Sequence, residues 1–382
     1  MQFTRVSVQG FRSLVDVDLP LRPLGVMIGP NGCGKTALLE VFLLLRGAAQ
    51  RKLAQTLDGL GGVHAVLSRL PVAPEGIGIG LMVVDADRSL RYRFVLVPRP
   101  VGYAIREERL EQALDGEGTG ALRYIDAQYD RLRYASDESP GGFVPTWTLD
   151  PQELALAQAP PMLGQVETLR SALTKVEHLS GLDVGPQAPV RLPQGLTPAV
   201  RPGPNGEGLF SALHNLRSMR RDVYAQVEDV LRIGFPGFER LEFQVVGMGQ
   251  VTLAWHQEGL AGPLYPAQLS EGTLRFLWLA TALLAPEPPP LLLLDEPEVS
   301  LHPELIKLLA GLLQDASVRG QVLVATHSPD LVRWLQPDQV LVLDKEANQT
   351  RPTWADSLDL DAWLEEYTLR DLWLMGTLGG RP

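Results

Sequence analysis

The residues with the clearest chemical meaning form a glycine-rich segment near the start of the chain. Residues 29–36, Gly-Pro-Asn-Gly-Cys-Gly-Lys-Thr, match the pattern G-x-x-x-x-G-K-[ST], in which backbone N–H groups turn inward around phosphates. Lys35 would reach the terminal phosphates and the Thr36 hydroxyl would ligate Mg²⁺. An apolar run over Leu24–Ile28 precedes the segment and helix formers follow it. The pattern therefore predicts a nucleotide site built from Asn31, Gly32, Cys33, Gly34, Lys35 and Thr36.

A second chemically active pair closes an apolar run far along the chain. Leu291–Leu294 is continuously apolar, and Asp295 and Glu296 follow it directly. Surface acids often close a strand, but beside a phosphate-binding loop the pair has the form called Walker B. Asp295 would hold Mg²⁺ through its water shell, because carboxylate oxygens suit this cation. Glu296 would orient and polarise an attacking water.

Two further segments have the residue types of a phosphate site. Leu269-Ser-Glu-Gly-Thr273 opens a helical pattern with Ser270 as its N-cap, and the exposed amides at such a helix start favour an anion. His327 ends the apolar strand pattern that begins at Val322. A histidine at a strand end is often structural, so a role for His327 beside a phosphate is one of two interpretations.

Cys33 is the single cysteine of the chain and lies inside the phosphate-binding pattern. It is either a small residue that happens to contain sulfur or a thiol whose pKa is lowered by the helix N-terminus and Lys35. The second interpretation predicts that alkylation of the thiol blocks ATP binding and that ATP protects it.

Periodicity predicts the elements that position these residues. Period-two alternation and short apolar runs predict strands over residues 2–8, 14–19, 24–28, 77–84, 91–97, 241–255, 291–294, 321–325 and 340–343. Helix-forming composition and helical spacing predict helices from residue 36 and over 104–114, 151–178, 210–233, 270–284, 303–316 and 361–375, the one over 151–178 being interrupted at Pro160 and Pro161. Strands alternate with helices near both termini, which predicts one α/β domain whose parallel core comes from the two ends of the chain.

Composition excludes several classes of protein. One cysteine excludes an internal disulfide framework, and 45% hydrophobic residues exclude global disorder. No apolar run approaches the ~18 residues of a membrane span, so we expect a cytoplasmic protein without a membrane partner. The net charge is −11, and residues 286–382 hold 16 acidic and 7 basic residues. A partner that carries phosphates would therefore meet the middle of the chain.

Arginines in that middle region have two interpretations. Arg217, Arg220 and Arg221 would share one face of a helix over 210–233, either as a ridge that contacts DNA phosphates or as a solvated face paired with neighbouring acids. The arginines of the predicted hairpin over residues 77–97 have the same alternatives. We favour the solvated face in both places.

The order of these motifs along the chain resembles that of a known group of ATPases. The phosphate loop is followed by Leu-Ser-Glu-Gly-Thr, Leu-Asp-Glu-Pro-Glu, Ser300-Leu-His-Pro303 and Thr-His-Ser-Pro, and the chain opens with Val8-Gln-Gly-Phe-Arg-Ser-Leu14. This arrangement resembles the ABC-type ATPase heads of the RecF, SMC and OLD group. The resemblance covers residues 1–45 and 265–345. The long SMC coiled coil and an acidic cluster like that of the OLD nuclease domain are not evident in the sequence.

The resemblance implies an α/β fold, an ABC-ATPase-like P-loop NTPase with a mixed, largely parallel core sheet, an antiparallel β subdomain and a helical lobe. It predicts a single ATPase domain over residues 1–382. Its expected parts are an N-terminal lobe over 1–100, a variable helical and loop insertion over 101–240, and a C-terminal lobe over 241–382.

The same resemblance implies roles for individual residues. ATP and Mg²⁺ would be the cofactors, and two heads would clamp two ATP molecules face to face, so that Lys35 and Glu296 of one subunit meet Ser270 and Gly272 of the other. His327 would sense the γ-phosphate, and Ser300 with Leu301 would form the loop between the two sites. Arg12 would lie near the nucleotide. A glutamine that touches Mg²⁺ is expected, with Gln187 or Gln128 as candidates.

The implied activity is Mg²⁺-dependent hydrolysis of ATP, coupled to ATP-dependent homodimerisation in DNA repair and maintenance or in phage defence. A switch that controls a protein effector, such as a toxin or nuclease, is the alternative. A nucleotide-binding subunit of a membrane transporter is a third hypothesis. The 233 residues between Lys35 and Leu269 argue against it, because a transporter head is more compact in that interval. A DNA contact through the middle region would distinguish the DNA-repair or phage-defence hypothesis from the effector-switch hypothesis.

Overall fold

The structure is a computed structural model of the 382-residue chain and describes residues 1–70, 74–85, 88–112, 122–129 and 131–379. The strands are β1 Gln2–Phe11, β2 Leu14–Pro20, β3 Leu24–Ile28, β4 Ile77–Asp85, β5 Arg88–Pro98, β6 Tyr103–Gln112, β7 Arg123–Gln128, β8 Arg131–Tyr134, β9 Glu177–Leu179, β10 Gln194–Gly195, β11 Phe238–Gly247, β12 Gln250–Gln257, β13 Leu291–Asp295, β14 Gln321–Ala325, β15 Val340–Glu346 and β16 Gln349–Trp354.

The helices are α1 Lys35–Ala49, α2 Leu53–Gly59, α3 Val63–Val66, α4 Ala155–Gln158, α5 Gly164–Thr174, α6 Leu209–Met219, α7 Arg221–Gly234, α8 Glu271–Leu284, α9 Pro303–Arg319, α10 Pro329–Val332, α11 Asp361–Leu364 and α12 Leu369–Leu374. Among the described residues, none of these helices combines the length and the apolar character that crossing a bilayer requires.

The chain divides into two compact units. The first, here called the P-loop unit, comprises Met1–Val176, Asp338–Leu360 and Met375–Pro382. The second, here called the Walker B unit, comprises Glu177–Pro337 and Asp361–Leu374.

The P-loop unit contains an antiparallel sheet with the strand order β2-β1-β4-β5-β6-β7-β8. Apolar side chains of alternate residues, such as Ile77, Ile79 and Leu81 of β4, are fully or almost fully buried, as expected for a sheet with one face on a core. The fully buried strand β3 pairs in parallel with β15, which pairs antiparallel with β16. Helix α1 follows β3 and packs against α2, α4 and α5.

The Walker B unit contains parallel strands and most of the long helices. Strand β13 pairs in parallel with β14 and with β9, and β10, β12 and β11 form a small antiparallel sheet. Helix α8 packs against α6, α7 and α9, and its 14 residues include 11 buried ones. The two units thus contain the parallel strands, the antiparallel subdomain and the helical lobe of the expected α/β class.

The helix predicted over residues 104–114 is wrong. Residues 103–112 form strand β6, which pairs antiparallel with β5 and β7; residues 113 and 114 lie outside the described part of the chain. The segment is rich in Glu and Arg, which favour helix in isolation. Cross-strand pairing outweighs that preference here, with ion pairs from Arg91 to Glu111 at 3.6 Å and from Arg109 to Asp126 at 3.4 Å.

The single helix predicted over residues 210–233 is also wrong in detail. Helices α6 and α7 meet at Arg220, whose φ of −136° and ψ of 64° are not helical. Arg217, Arg220 and Arg221 therefore do not share one helix face. Arg220 instead binds Asp222 at 2.8 Å, which is the solvated pairing that we favoured. Similarly, the last helix, predicted over 361–375, consists of two short helices, α11 and α12.

Candidate functional site

The phosphate-binding segment forms a tight turn between β3 and α1, and glycine is required in it by geometry. Gly29 has φ 142°, Gly32 has φ 73° and Gly34 has φ 111°, values that residues with a Cβ atom rarely adopt. A Cβ on Gly29 would lie 2.2 Å from the carbonyl oxygen of Leu343. The turn leads directly into helix α1, which begins at Lys35 and directs its free N–H groups toward the loop.

Lys35 is folded over the loop that precedes it. Its Nζ donates to the carbonyl oxygen of Gly29 at 2.6 Å and to that of Pro30 at 3.3 Å, although only 5% of the residue is exposed. Thr36, in the first turn of α1, is exposed, as are Asn31 and Gly32. The loop therefore holds a buried ammonium group next to exposed amide and hydroxyl groups, which suits a phosphorylated ligand.

A threonine far away in the sequence supports the loop. Thr350 on β16 donates from Oγ1 to the carbonyl oxygen of Cys33 at 2.7 Å, and its N–H donates to the carbonyl oxygen of Ser13 at 2.9 Å. A Cβ on Gly34 would lie 2.5 Å from Thr350 Oγ1. Sequence reasoning missed Thr350, because its partner is 317 residues away and a lone threonine in a strand carries no local signal.

Cys33 does not have the environment of a reactive thiol. Only 1% of the residue is exposed, and burial raises the pKa of the thiol above its usual value, although Lys35 opposes the shift. Since the thiolate is the reactive form, the interpretation of a thiol with a lowered pKa is wrong. The remaining interpretation is a small buried residue, in contact with Lys35 Nζ at 3.8 Å.

Arg12 lies in the turn between β1 and β2 with φ 50°. Its guanidinium group forms an ion pair with Glu40 of α1 at 2.5 Å, and its carbonyl oxygen accepts from the Ser68 hydroxyl at 2.5 Å. Arg12 is thereby attached to the helix that begins with the phosphate-binding lysine. A direct role of Arg12 at the nucleotide stays a prediction.

The acidic pair follows β13 as predicted. Asp295 is the last residue of the strand and is half-buried, whereas Glu296 is exposed and has φ 48°. The N–H of Glu296 donates to the carbonyl oxygen of Ala325 at 2.8 Å. This places Glu296 Oε1 3.9 Å from Nε2 of His327. The structure therefore brings together the predicted catalytic carboxylate and the predicted switch histidine.

Ser270 caps helix α8 as predicted. Its Oγ accepts from the N–H of Thr273 at 3.1 Å, and a Cβ on Gly272 would lie 2.5 Å from the carbonyl oxygen of Ser300. A cavity of 490 Å³ lies in front of this helix start. Its lining consists of Gly234, Phe235, Ser270, Glu271, Gly272, Thr273, Ser300, His302, Glu304 and Leu305.

The two glutamine candidates lie in different units. Gln187 is exposed in a turn of the Walker B unit, and Gln128 ends β7 in register with Glu107 in the P-loop unit. Within the described residues, no group of three or more His, Cys, Asp or Glu side chains is arranged to hold a metal ion. Taken separately, the hydroxyl of Thr36 in the P-loop unit and the carboxylate of Asp295 in the Walker B unit are oxygen donors of the kind that Mg²⁺ accepts, together with waters and nucleotide phosphates.

The fold and these motifs define a P-loop ATPase of the RecF/SMC/OLD-like type. A family model described as "AAA domain, putative AbiEii toxin, Type IV TA system" matches residues 25–333. The chain belongs to this family.

Comparisons with curated proteins agree with the class. The chain is 51% identical to the OLD nuclease of Thermus scotoductus over 43 residues, which are 11% of this chain and 8% of that protein. It is 33% identical to the DNA replication and repair protein RecF of Proteus mirabilis over 88 residues, 21% of this chain and 24% of RecF. It is 34% identical over 156 residues to the cytochrome c biogenesis ATP-binding export protein CcmA of Yersinia pestis, 33% of this chain and 71% of CcmA. The matches thus cover a quarter or less of the OLD nuclease and of RecF.

Solved SMC heads share the fold. One is an SMC head bound to the C-winged helix domain of ScpA, with a TM-score of 0.56 and 14% identity over 92% of this chain and 98% of that one. Another is an SMC head with an extended coiled coil, bound to the C-terminal domain of ScpA derived from Pyrococcus furiosus. It has a TM-score of 0.55 and 12% identity over 95% of this chain and 98% of that one. At this identity the likeness shows the fold alone.

Proposed function

We propose that the chain binds ATP with Mg²⁺ and hydrolyses it to ADP and phosphate. The observation that carries this proposal is the loop after β3, where three glycines with positive φ surround a buried lysine whose ammonium group faces loop carbonyls. In the proposed role, Lys35 and the first-turn N–H groups of α1 bind the phosphates. Thr36, Asp295 and one of Gln187 or Gln128 would hold Mg²⁺, which neutralises phosphate charge.

Glu296 is the proposed catalytic carboxylate. It is exposed at the end of a buried strand, so its oxygens can reach a water. It would accept a hydrogen bond from the attacking water and orient that water toward the γ-phosphorus. His327, 3.9 Å from the carboxylate, would contact the γ-phosphate.

We further propose that ATP joins two chains head to head. The support is the capped start of α8, which presents N–H groups at an open cavity of 490 Å³, as a site for the γ-phosphate of ATP bound to another chain requires. Ser270 and Gly272 would complete that site from the opposite subunit. Hydrolysis would then release the dimer.

The proposed cellular task is DNA repair and maintenance or phage defence. The support is the sequence similarity to a DNA replication and repair protein and to an OLD nuclease. The alternative, an ATP-dependent switch for a protein effector, is favoured by the toxin–antitoxin description of the family. The similarity to CcmA supports a transporter subunit as a third candidate.

Phosphate release with two site variants and one control tests the proposed hydrolysis. We expect Lys35→Ala to lose ATP binding. Glu296→Gln should keep ATP binding and lose about 100-fold or more in kcat, as expected for a group that activates the nucleophile. Lys345→Ala removes an exposed lysine elsewhere in the P-loop unit and should change neither. Equal hydrolysis by Glu296→Gln and the wild type would contradict the proposed role of Glu296.

Binding to a fluorescent duplex at two salt concentrations tests the proposed task. A complex that weakens steeply with salt supports DNA work through phosphate contacts. Strong hydrolysis without a DNA complex and without stimulation by DNA favours the effector switch.

A further inference from the structure

Glu298, two residues beyond the proposed catalytic Glu296, connects the turn after β13 to the turn after β14. Its Oε1 accepts from the hydroxyl of Thr326 at 2.6 Å and from the N–H of His327 at 3.1 Å. A second bond joins the turn after β13 to the end of β14: the N–H of Glu296 donates to the carbonyl oxygen of Ala325 at 2.8 Å. One main-chain bond and one carboxylate therefore join the two turns.

Connecting the two turns through a buried carboxylate has a cost in folding free energy. Oε2 of Glu298 is buried and has no hydrogen-bond partner within the described structure. Burial raises the pKa of Glu298, although the bond from Thr326 opposes the shift. Leaving a buried polar atom unsatisfied costs about 1–3 kcal/mol. Stability of the fold alone is therefore a poor reason for a glutamate at this position.

The contacts of Glu298 instead explain a distance in the proposed site. The main-chain N–H of His327 donates to the carboxylate of Glu298, so Glu298 fixes the main chain from which the imidazole projects. Glu296 stands in a left-handed conformation, φ 48°, on the opposite turn. The 3.9 Å between His327 Nε2 and Glu296 Oε1 depends on both turns keeping their spacing.

We propose that Glu298 is a positioning residue for ATP hydrolysis, which holds His327 in register with Glu296 through the His327 main chain. This inference rests on the proposed function. It makes Glu298 a requirement for turnover and not for nucleotide binding, since its hydrogen bonds go to Thr326 and to the main chain of His327, whereas Lys35, which is proposed to bind the phosphates, belongs to the P-loop unit.

Two substitutions of Glu298 and one matched control separate positioning from plain stabilisation. We expect Glu298→Ala to lower kcat about 10- to 100-fold with KM for ATP unchanged, because small misplacements of catalytic groups have effects of this size. Glu298→Gln should restore most of kcat, because its amide oxygen can accept both bonds. Glu153→Ala is the control: Glu153 is also a buried carboxylate bonded to a main-chain N–H, that of Leu53 at 3.2 Å, and its loss should leave kcat unchanged.

A readout without hydrolysis keeps the inference testable on its own. The chain has six histidines, so labelling with ¹⁵N-histidine gives a simple NMR spectrum. In that spectrum we expect Glu298→Ala to shift the amide signal of His327 and to speed its hydrogen exchange. Glu298→Gln should leave both nearly as in the wild type. Should Glu298→Ala fail to fold, Thr326→Val removes one of the two donors and should lower kcat less.

The outcomes are distinct. A wild type that hydrolyses ATP, with Glu298→Ala equal to Glu153→Ala in kcat, overturns the inference and leaves the proposed function standing. An unmoved His327 amide in Glu298→Ala also overturns it. A wild type that binds ATP without hydrolysing it overturns the proposed function; the role of Glu298 in turnover then falls with it, whatever the amide shows.

Discussion

The turn after β3 and the turn after β13 both contain residues with positive φ, but different residue types occupy those positions. Each follows a buried strand, and each needs positive φ angles. In the P-loop, glycines occupy these positions, at 142°, 73° and 111°. After β13 they are occupied by Glu296 at 48° and Ser300 at 64°.

The difference follows from what each turn presents. The P-loop presents main-chain N–H groups, and a Cβ would clash with Leu343 at residue 29 and with Thr350 at residue 34, whereas residue 32 has open space around it; glycine meets these positive φ angles and close approaches together. The turn after β13 presents side chains, so it must accept backbone strain at residues with a Cβ atom, about 1–2 kcal/mol for each. Hydrogen bonds from Glu296 and to Glu298 hold this strained turn in place.

The largest expected effect comes from placing a side chain in the P-loop. Gly29→Ala would bring a Cβ to 2.2 Å from the Leu343 carbonyl oxygen, so we expect a loss of about 3 kcal/mol in the free energy of unfolding and no detectable ATP binding. Gly32→Ala meets no atom within 4 Å but has φ 73°, and should cost only about 1 kcal/mol. Urea denaturation and binding of a fluorescent ATP analogue measure both. Equal losses would show that strain alone, and not the close approach, selects glycine at residue 29.

An intermediate effect is expected at the side chain that supports the P-loop. Thr350→Val keeps the shape of the residue and removes the bond to the Cys33 carbonyl oxygen. We expect the binding free energy of ATP to weaken by about 1 kcal/mol, which is a roughly fivefold loss of affinity. Thr350→Ser keeps the hydroxyl and should bind ATP as the wild type does. Isothermal titration with the three proteins measures this, and equal affinity of Thr350→Val and the wild type would remove Thr350 from the account of the loop.

The smallest expected effect has the opposite sign and lies in the other turn. Ser300→Gly relieves a positive φ, and the greater freedom of glycine in the unfolded chain offsets part of the gain, so we expect about 0.5 kcal/mol of stabilisation. Ser317→Gly, inside helix α9, is the control and should destabilise by about 0.5 kcal/mol. Chemical denaturation compares them. Destabilisation by Ser300→Gly would mean that the turn after β13 is not strained at Ser300.

Sequence reasoning was most accurate where chemistry depends on neighbouring residues. The phosphate loop, the acidic pair after β13 and the cap at Ser270 are local patterns, and each lies where its pattern predicts. The same local reasoning gave a helix for strand β6, because composition does not show the pairing with β5 and β7.

The supporting contacts could not be predicted in this way. Thr350 and Glu298 bond main-chain atoms 317 and 29 residues away, so their roles exist only after the strands have paired. The break at Arg220 likewise has no proline or glycine to mark it in the sequence. In this protein the sequence patterns identify the groups proposed to act on ATP, and the structure identifies the residues that hold them.

The mass in solution of Glu296→Gln with ATP and Mg²⁺ tests the central claim most directly, because this variant should bind ATP and not consume it. We predict the mass of one chain with EDTA and the mass of two chains with ATP and Mg²⁺, measured by light scattering on samples whose bound nucleotide is quantified. A variant that holds ATP and keeps the same mass under both conditions would contradict the proposed head-to-head site.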